Sequence, residues 1–390
     1  MKFKSENNTL IIFLEGRIDS SSADAAGAEI EKIISENVHS DVIFDMDSLE
    51  YISSAGLRVI LRTRKAEPTL KIINASAEVY EILDMTGFTE MLPVEKAMRK
   101  LCVDGCDIIG KGAKGTVYRY NGDTIVKVYK SVDNLEDIQN ERRLAKRAFV
   151  LGIPTAISYD IVKVGDKFGS VFELLDAKSY SEMITSDEAN KDKYIIEYAA
   201  LLKKIHETEV SPDDMPDIKI TIGKWLEAAK PYLPEENFKK LSLLVENVPD
   251  TTNMLHCDYH TNNVMYQGGE ALLIDMDTLS HGHPIFELAN VYITYVGFGE
   301  EDPSIVENFL GMPYETAKYI WAKFIREYLG TEDNTVIENA EKKIMLLNYL
   351  RLLRHKVRRM TREEAEASAI VNTCISKIDE LLKAVDTLEF

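Results

Sequence analysis

Cysteine is scarce in this chain of 390 residues: Cys102, Cys106, Cys257 and Cys374 are the full set. They are too few and too scattered for a disulfide framework, and Cys102 and Cys106 lack the second ligand pair that a zinc site needs. Reduced thiols are expected. Proline is sparse, at 11 residues, and no Gly/Ser-rich tract occurs, which argues against a disordered chain. No apolar run reaches the length of a membrane span, and Met1-Lys2-Phe3-Lys4-Ser5-Glu6 lacks the apolar core of a signal peptide. A cytoplasmic protein without a membrane partner is therefore expected. Positive charge is the last deficit: Lys and Arg number 46 against 65 Asp and Glu, a formal net of −19. That balance opposes non-specific binding to nucleic acid or an anionic membrane and favours a cationic, amine-bearing substrate.

The charge deficit is spread along the chain. Residues 1–100 hold 12 Lys and Arg against 17 Asp and Glu, a net of −5, which leaves −14 for the rest, so no acidic tail accounts for it. One stretch runs the other way: Arg351, Arg354, His355, Lys356, Arg358 and Arg359. It reads as a solvated helix face, with phosphate or a partner as the alternative occupant. The bulk of the chain is ordinary globular material, 45% hydrophobic and 28% charged. Its length exceeds what one hydrophobic core usually supports and calls for two or three domains.

The first hundred residues alternate strand and helix periods. Thr9 to Leu14 reads as an apolar strand, Ser20 to Glu36 as a helix, and Asp41 to Phe44 as a strand. Ser54 to Lys65 is a helix with Leu57, Val59 and Ile60 apolar, Leu70 to Ile73 a strand, and Ala77 to Met85 a helix ending before Gly87. This predicts an α/β domain. Beyond it, residues 106–130 read as three strands, with Asn121-Gly122 supplying the positive φ angles of a tight hairpin. Residues 133–151 read as a helix and 158–175 as two strands joined at Gly165-Asp166. From about 187 the pattern is helical, interrupted by the polar segment 251–285. A β-rich lobe followed by a helical lobe is expected.

Three motifs carry chemistry. Gly110-Lys111-Gly112-Ala113-Lys114-Gly115 is a G-x-G-x-x-G, a spacing that dinucleotide-binding folds also use. Here Thr116 to Tyr120 continues as a strand rather than opening a helix, so the loop becomes a hairpin tip that can lie over phosphates. Val126-Lys127-Val128-Tyr129 places an ammonium in an apolar strand, where it needs either a partner or a route to water. Glu141, in the following helix, and nucleotide phosphates are the candidate partners. The most specific motif is His256-Cys257-Asp258-Tyr259-His260-Thr261-Asn262-Asn263-Val264, followed after a short strand by Leu273-Ile274-Asp275-Met276-Asp277. Phosphoryl transfer to a hydroxyl needs a carboxylate to accept the proton and oxygen ligands to hold Mg²⁺; Asp258, Asn263 and Asp275 supply that set.

With these motifs in order, residues 105 to about 385 resemble the aminoglycoside phosphotransferase family, which shares the protein-kinase fold; His260 fits its H-x-D-x-H-x-x-N pattern. The resemblance implies an α+β bilobal domain over 101–390, with a β-rich lobe to about 175 and a helical lobe from about 176. It further implies an enzyme moving the γ-phosphate of ATP, or alternatively GTP, with Mg²⁺ onto an alcohol group. Asp258 would be the catalytic base, Asn263 and Asp275 the metal ligands, and Lys127, with its Glu141 ion pair, the phosphate contact. Gly110, Gly112 and Gly115 would cover the phosphates, and Glu173 to Leu175 would form the hinge that binds adenine through its backbone. Asp277 either assists at the metal or caps a turn, and Glu287 stands where the family usually has a structural aspartate. His206 also fits the family, and a packed core histidine is the expected role.

Residues 1–100 resemble the STAS domain of anti-sigma factor antagonists, an α/β fold of mixed sheet and helices. Gly16-Arg17-Ile18-Asp19 and the run Phe44 to Leu57 carry the resemblance. In that family a serine at the position of Ser54 is phosphorylated; Ser53 stands where aspartate is often found. Phosphate at a helix start would meet free N–H groups and the positive dipole end while repelling Asp45 and Asp47, whereas helix capping by Ser54 is the structural alternative. The expectation is a bacterial metabolite kinase acting on a small, amine-bearing molecule, with a STAS domain that regulates it or docks a protein partner. The alternative is a signalling protein whose kinase-like domain phosphorylates a protein, Ser54 of its own STAS domain included.

Overall fold

Strand alternation and helical spacing are realised in a computed structural model that describes residues 1–112, 114–131 and 135–389. Two compact units separate, Met1–Cys102 with Val162–Asp166, and Val103–Ile161 with Lys167–Phe390. The first unit is built from β1 (Lys2–Glu6), β2 (Thr9–Ile18), α1 (Ala23–Glu36), β3 (Asp41–Ile52), α2 (Ser54–Ala66), β4 (Lys71–Ala75), α3 (Ala77–Met85), α4 (Phe88–Met91) and β5 (Val94–Lys96). Its sheet runs β1-β2-β3-β4-β5, with the first pair antiparallel and the others parallel, the mixed sheet expected. Leu10, Ile12 and Leu14 of β2 and Val42, Phe44 and Met46 of β3 point inward and are fully buried. Each such side chain contributes about 1.5–3 kcal/mol. Gly56 sets the seat of α2: a Cβ there would lie 2.6 Å from Ile52 Cγ1 and 2.9 Å from Ile18 Cγ2.

Three local features differ from expectation. Strand β3 continues well past Phe44 to Ile52, because register shifts against β2 slip the inward alternation and hide the strand's second half. Asn7 and Asn8, with φ of 47° and 66°, turn β1 into β2, a hairpin the sequence reading missed. Conversely, neither Asn121 nor Gly122 has positive φ. That turn is closed by a side chain, with Asn121 Oδ1 accepting from the N–H groups of Asp123 at 3.1 Å and Thr124 at 2.8 Å.

Beyond residue 103 come β6 (Ile108–Lys111), β7 (Gly115–Arg119), β8 (Thr124–Tyr129), α5 (Leu135–Val150), β9 (Asp160–Val164), whose residues from Val162 group with the first unit, and β10 (Lys167–Glu173); within the second unit the sheet order is β6-β7-β8-β10. Of the helix expected over 133–151, Leu135–Val150 is seen; 133 and 134 lie outside the described residues, as does Ala113 of the glycine loop. Helix α5 buries Ile138, Glu141, Leu144, Ala145 and Ala148 at helical spacing, so one carboxylate sits on an apolar face.

The remainder is helical, as expected of a kinase-like fold. Helices Lys191–His206, Ile218–Ala229, Ile285–Tyr292, Pro303–Leu310, Tyr314–Leu329 and Asn334–Val357 surround a core that includes Tyr198, Tyr259, Phe286, Phe324 and Leu350. Short strands Met254–Leu255, Val264–Gln267 and Glu270–Leu273 frame the polar segment. Among the described residues no helix is long and apolar enough to cross a membrane. The basic run departs from a solvated face: Arg351, Arg354, His355 and Lys356 are half-buried, and only Arg358 and Arg359 are exposed. Packing of helix Asn334–Val357 against its neighbours covers its inner positions.

Candidate active site

Strand β8 lies between β7 and β10, so Lys127 is not on an edge and cannot simply reach out to water. Its Nζ donates to Glu141 Oε1 at 3.0 Å and to Asp275 Oδ1 at 2.9 Å, joining the β-rich lobe to the polar segment. Burial, the largest influence, works to lower the Lys127 pKa, but the Glu141 and Asp275 carboxylates overcome it and hold the ammonium above its ordinary range. Glu141 Oε2 accepts from the Tyr129 hydroxyl at 2.9 Å, so both of its oxygens are engaged. Gly115 starts β7 at close quarters: a Cβ there would lie 2.6 Å from Val128 O.

The segment His256 to Asn263 is fixed from behind by one carboxylate. Glu287, fully buried in the first turn of helix Ile285–Tyr292, accepts from His256 N–H at 2.7 Å through Oε2 and from Cys257 N–H at 2.7 Å through Oε1. The helix N-terminus favours this anion. His206 Nε2 bonds the same Oε2 at 2.9 Å, and its Nδ1 meets Tyr328 Oη at 2.7 Å, which makes His206 the packed, satisfied histidine expected. Asn290 Nδ2 donates to Cys257 O at 3.1 Å.

In front of this anchor stands Asp258. Asn263 Nδ2 donates to Asp258 O at 3.0 Å, and His260 Nε2 lies 3.7 Å from Asp258 Oδ2. Burial, the largest influence on Asp258, raises its pKa; the adjacent His260 ring and the charges of His256 and Arg351 outweigh it and bring the carboxyl down to about 2. It is ionised at neutral pH. Among the described residues five non-glycine positions have positive φ: Asn7, Asn8, Asn74, Cys257 and Asp275. Asparagine and aspartate adopt that conformation most readily, so the unusual case is Cys257, the residue beside Asp258. Strain of this kind concentrates at functional sites.

Carboxylate oxygens of Glu141, Asp275 and Asp277 all lie within 4.8 Å of one another. This oxygen-only set suits a hard cation such as Mg²⁺. Asp277 also pairs with Lys114 of the glycine loop. A cavity of about 410 Å³ gathers Gly112, Gly115, Lys127, Glu141, Glu173, Leu175, Asp258, Asn263 and Asp275 on its wall. Gly110 is not on that wall; it pairs with Val117 across β6 and β7. Glu173 also accepts from the Tyr159 hydroxyl at 3.2 Å, and Leu174 N–H turns away to Asp123 O.

Sequence reasoning missed several residues of this site. Phe309 lines the cavity with its ring edge-on to His260 at 4.8 Å, Tyr129 holds Glu141, and Arg351 acts electrostatically on Asp258. Tyr129 could have been found beside Lys127 in its motif, and Arg351 stood in the basic run read as a solvated face; Phe309 carries no local signal. In the first unit the helix cap is Ser53 rather than Ser54: Ser53 Oγ accepts from Ala55 N–H at 3.2 Å and Gly56 N–H at 3.5 Å. Ser54 is exposed, and its hydroxyl has no hydrogen bond among the described residues. Asp47 is paired with Lys100 at 3.0 Å, and Asp45 accepts from Asn74 Nδ2 at 3.0 Å.

Residues 106–319 match the model of the phosphotransferase enzyme family, and residues 1–100 match that of the STAS domain. BtrV of Bordetella bronchiseptica, named as an anti-sigma factor antagonist, is 33% identical over 89 residues, which cover 22% of this chain and 76% of that protein. Among solved structures, ADP-bound aminoglycoside phosphotransferase APH(2'')-Ib is 16% identical, with a TM-score of 0.45 over 80% of this chain and 98% of that one. A choline/ethanolamine kinase family protein from Mesorhizobium loti is 15% identical, with a TM-score of 0.44 over 71% and 88%. The chain belongs to the phosphotransferase enzyme family and carries a STAS domain in its first hundred residues.

Proposed function

We propose that residues 101–390 transfer the γ-phosphoryl group of ATP, with GTP as the alternative donor, to a hydroxyl of a small molecule in the cytoplasm. The observation that carries this reading is the single cavity shared by Asp258, Asn263, Asp275, Lys127 and the glycine loop. Asp258, ionised and held by Asn263 and the Glu287 anchor, is placed to orient the acceptor hydroxyl and take its proton as the oxygen–phosphorus bond forms. The bond from the γ-phosphorus to the bridging oxygen breaks, and the nucleoside diphosphate leaves. Lys127, already charged, would exchange part of its pairing with Asp275 for phosphate oxygens. Asn263 and Asp275, with Asp277 or Glu141 beside them, would hold Mg²⁺. When bound, the ion neutralises phosphate charge. Glu173 and Leu175 would receive the base.

Residues 1–100 would dock a protein partner. The exposed, unbonded hydroxyl of Ser54 supports it as the phosphorylated position, because Ser53 performs the capping. This observation also keeps a second reading, in which Ser54 itself is the acceptor. Purified chain incubated with Mg²⁺ and γ-labelled ATP, with and without a panel of hydroxyl compounds, separates the two. Label in a free compound supports the metabolite kinase. Label confined to Ser54 supports the signalling protein, and no transfer to either refutes both.

A further inference from the structure

We infer that the acceptor of this phosphotransferase carries an anionic group, a carboxylate or phosphate, received by Arg351, Arg354 and Arg358 at the C-terminal end of helix Asn334–Val357. The inference rests on the phosphotransferase reading above and reverses the amine preference suggested by net charge. Positions 351, 354, 355 and 358 fall at i, i+3, i+4 and i+7, one stripe of a helix. Its inner end reaches the catalytic segment. Arg351 Nη1 donates to Asn290 O at 3.5 Å, and the Asn290 side chain holds Cys257 O, one residue from Asp258. The Arg351 guanidinium lies 5.6 Å from the Trp225 ring centroid, and its charge is among those acting on Asp258.

The stripe lacks counter-ions. Lys356 is paired with Glu301, but among the described residues no carboxylate lies within ion-pair distance of Arg351, Arg354, Arg358 or Arg359. In a chain with 65 Asp and Glu against 46 Lys and Arg, that leaves four neighbouring guanidiniums without a directly paired acid among the described residues. His355 lies among them with its ring edge-on to Phe298 at 5.3 Å. Burial and then Arg358, Arg359, Lys356 and Arg351 push its pKa down to about 4, so the ring is neutral and adds no repulsion of its own. Clustered like charges repel, and an oxyanion relieves them; guanidinium forks suit carboxylate and phosphate in geometry as well as charge. Charges beyond about 8 Å are largely screened at physiological salt, so these local arginines outweigh the distant acidic excess. Through Asn290 the inner end of the stripe adjoins the residue before Asp258, which favours a small acceptor over a macromolecule bound at the surface.

The test titrates the full chain, saturated with ADP and Mg²⁺, with glycerate and glycerol 3-phosphate and, in parallel, with glycerol and ethanolamine. The anionic compounds are expected to bind and the other two not. The double variant Arg354→Gln/Arg358→Gln, with its fold checked by circular dichroism, should weaken anion binding by about tenfold or more, and the Arg→Lys counterpart by less. Failure of the anions to bind, equal binding by the Gln variant, or preference for ethanolamine overturns the inference. So does binding of phosphatidylserine vesicles or an acidic peptide without binding of the small anions. A nucleotide titration on the same samples separates the two readings: no ADP binding refutes the phosphotransferase and this inference together, whereas ADP binding with indifference to anions refutes the inference alone.

Discussion

Replacing Glu287 by Gln keeps the side chain's size and removes its charge from a fully buried site. The native carboxylate accepts three hydrogen bonds, from His256 N–H, Cys257 N–H and the His206 ring. Glutamine keeps one acceptor oxygen and turns an NH₂ toward groups that donate. At least one N–H of the catalytic segment then loses its partner. A hydrogen bond to a charged group is worth about 1.5–3 kcal/mol, and a buried donor left unmatched costs about 1–3 kcal/mol. Disrupting a buried charged network therefore predicts a loss of about 3–5 kcal/mol in the second unit. The chain's two tryptophans, Trp225 and Trp321, both lie in that unit, so denaturant unfolding followed by tryptophan fluorescence reports it without interference from the STAS domain. Turnover should fall as well, since a displacement of about 1 Å at Asp258 costs roughly 10²-fold. Glu287→Asp keeps the charge on a shorter arm and should lie between. A Gln variant with wild-type midpoint and wild-type turnover would refute the assignment of Glu287 as the anchor of the catalytic segment.

Other expectations follow from the same contacts. Lys127→Ala removes the partner of Glu141 and Asp275 and should weaken nucleotide binding by about tenfold or more; an undisturbed nucleotide titration would contradict the phosphate role. Ser53→Ala should lower the stability of the first unit by about 1 kcal/mol through loss of the cap, whereas Ser54→Ala should leave the unfolding midpoint unchanged; the reverse pattern would return the capping role to Ser54. Ser54→Asp should alter partner binding or activity, and a silent substitution would count against a switch. His355, held at about 4 in the folded chain, protonates near 6.5 when unfolded, so its contribution is present above that value and is lost as pH falls from about 6.5 toward 4. Buried His256 and half-buried His283 carry the same sign, so His355→Gln should flatten the acid limb of stability without abolishing it. Parallel limbs in wild type and variant would argue against the shift.

Most of the residues gathered around the cavity were legible because they are compact in sequence. His256 to Asn263 and Asp275 lie within one short segment, Lys127 breaks an apolar strand where a charge needs a reason, and Glu141 follows in the next helix as its candidate partner. The fold class followed from the change of period near residue 100. What escaped depended on tertiary placement. Arg351 belongs to a basic run that looks solvated until helix packing carries its inner end to Asn290 and the catalytic segment. Phe309 reaches the cavity from a helix that has no motif. Ser53 and Ser54 are equally good caps by composition, and only the backbone angles of Ser53, φ −94° and ψ 175°, place the cap there. Asn121-Gly122 has the composition of a tight hairpin, yet the Asn121 side chain offered the turn a competing set of hydrogen bonds.

Phosphoryl transfer by wild type and Asp258→Asn, each presaturated with γ-labelled ATP and Mg²⁺ and followed through one turnover, tests the central claim most directly. The account predicts nucleotide affinities within a few-fold of each other and transfer reduced by about 10²-fold or more in the variant, the contribution of a positioned base. Equal rates of transfer to the same acceptor would show that the carboxylate of Asp258 is not the base.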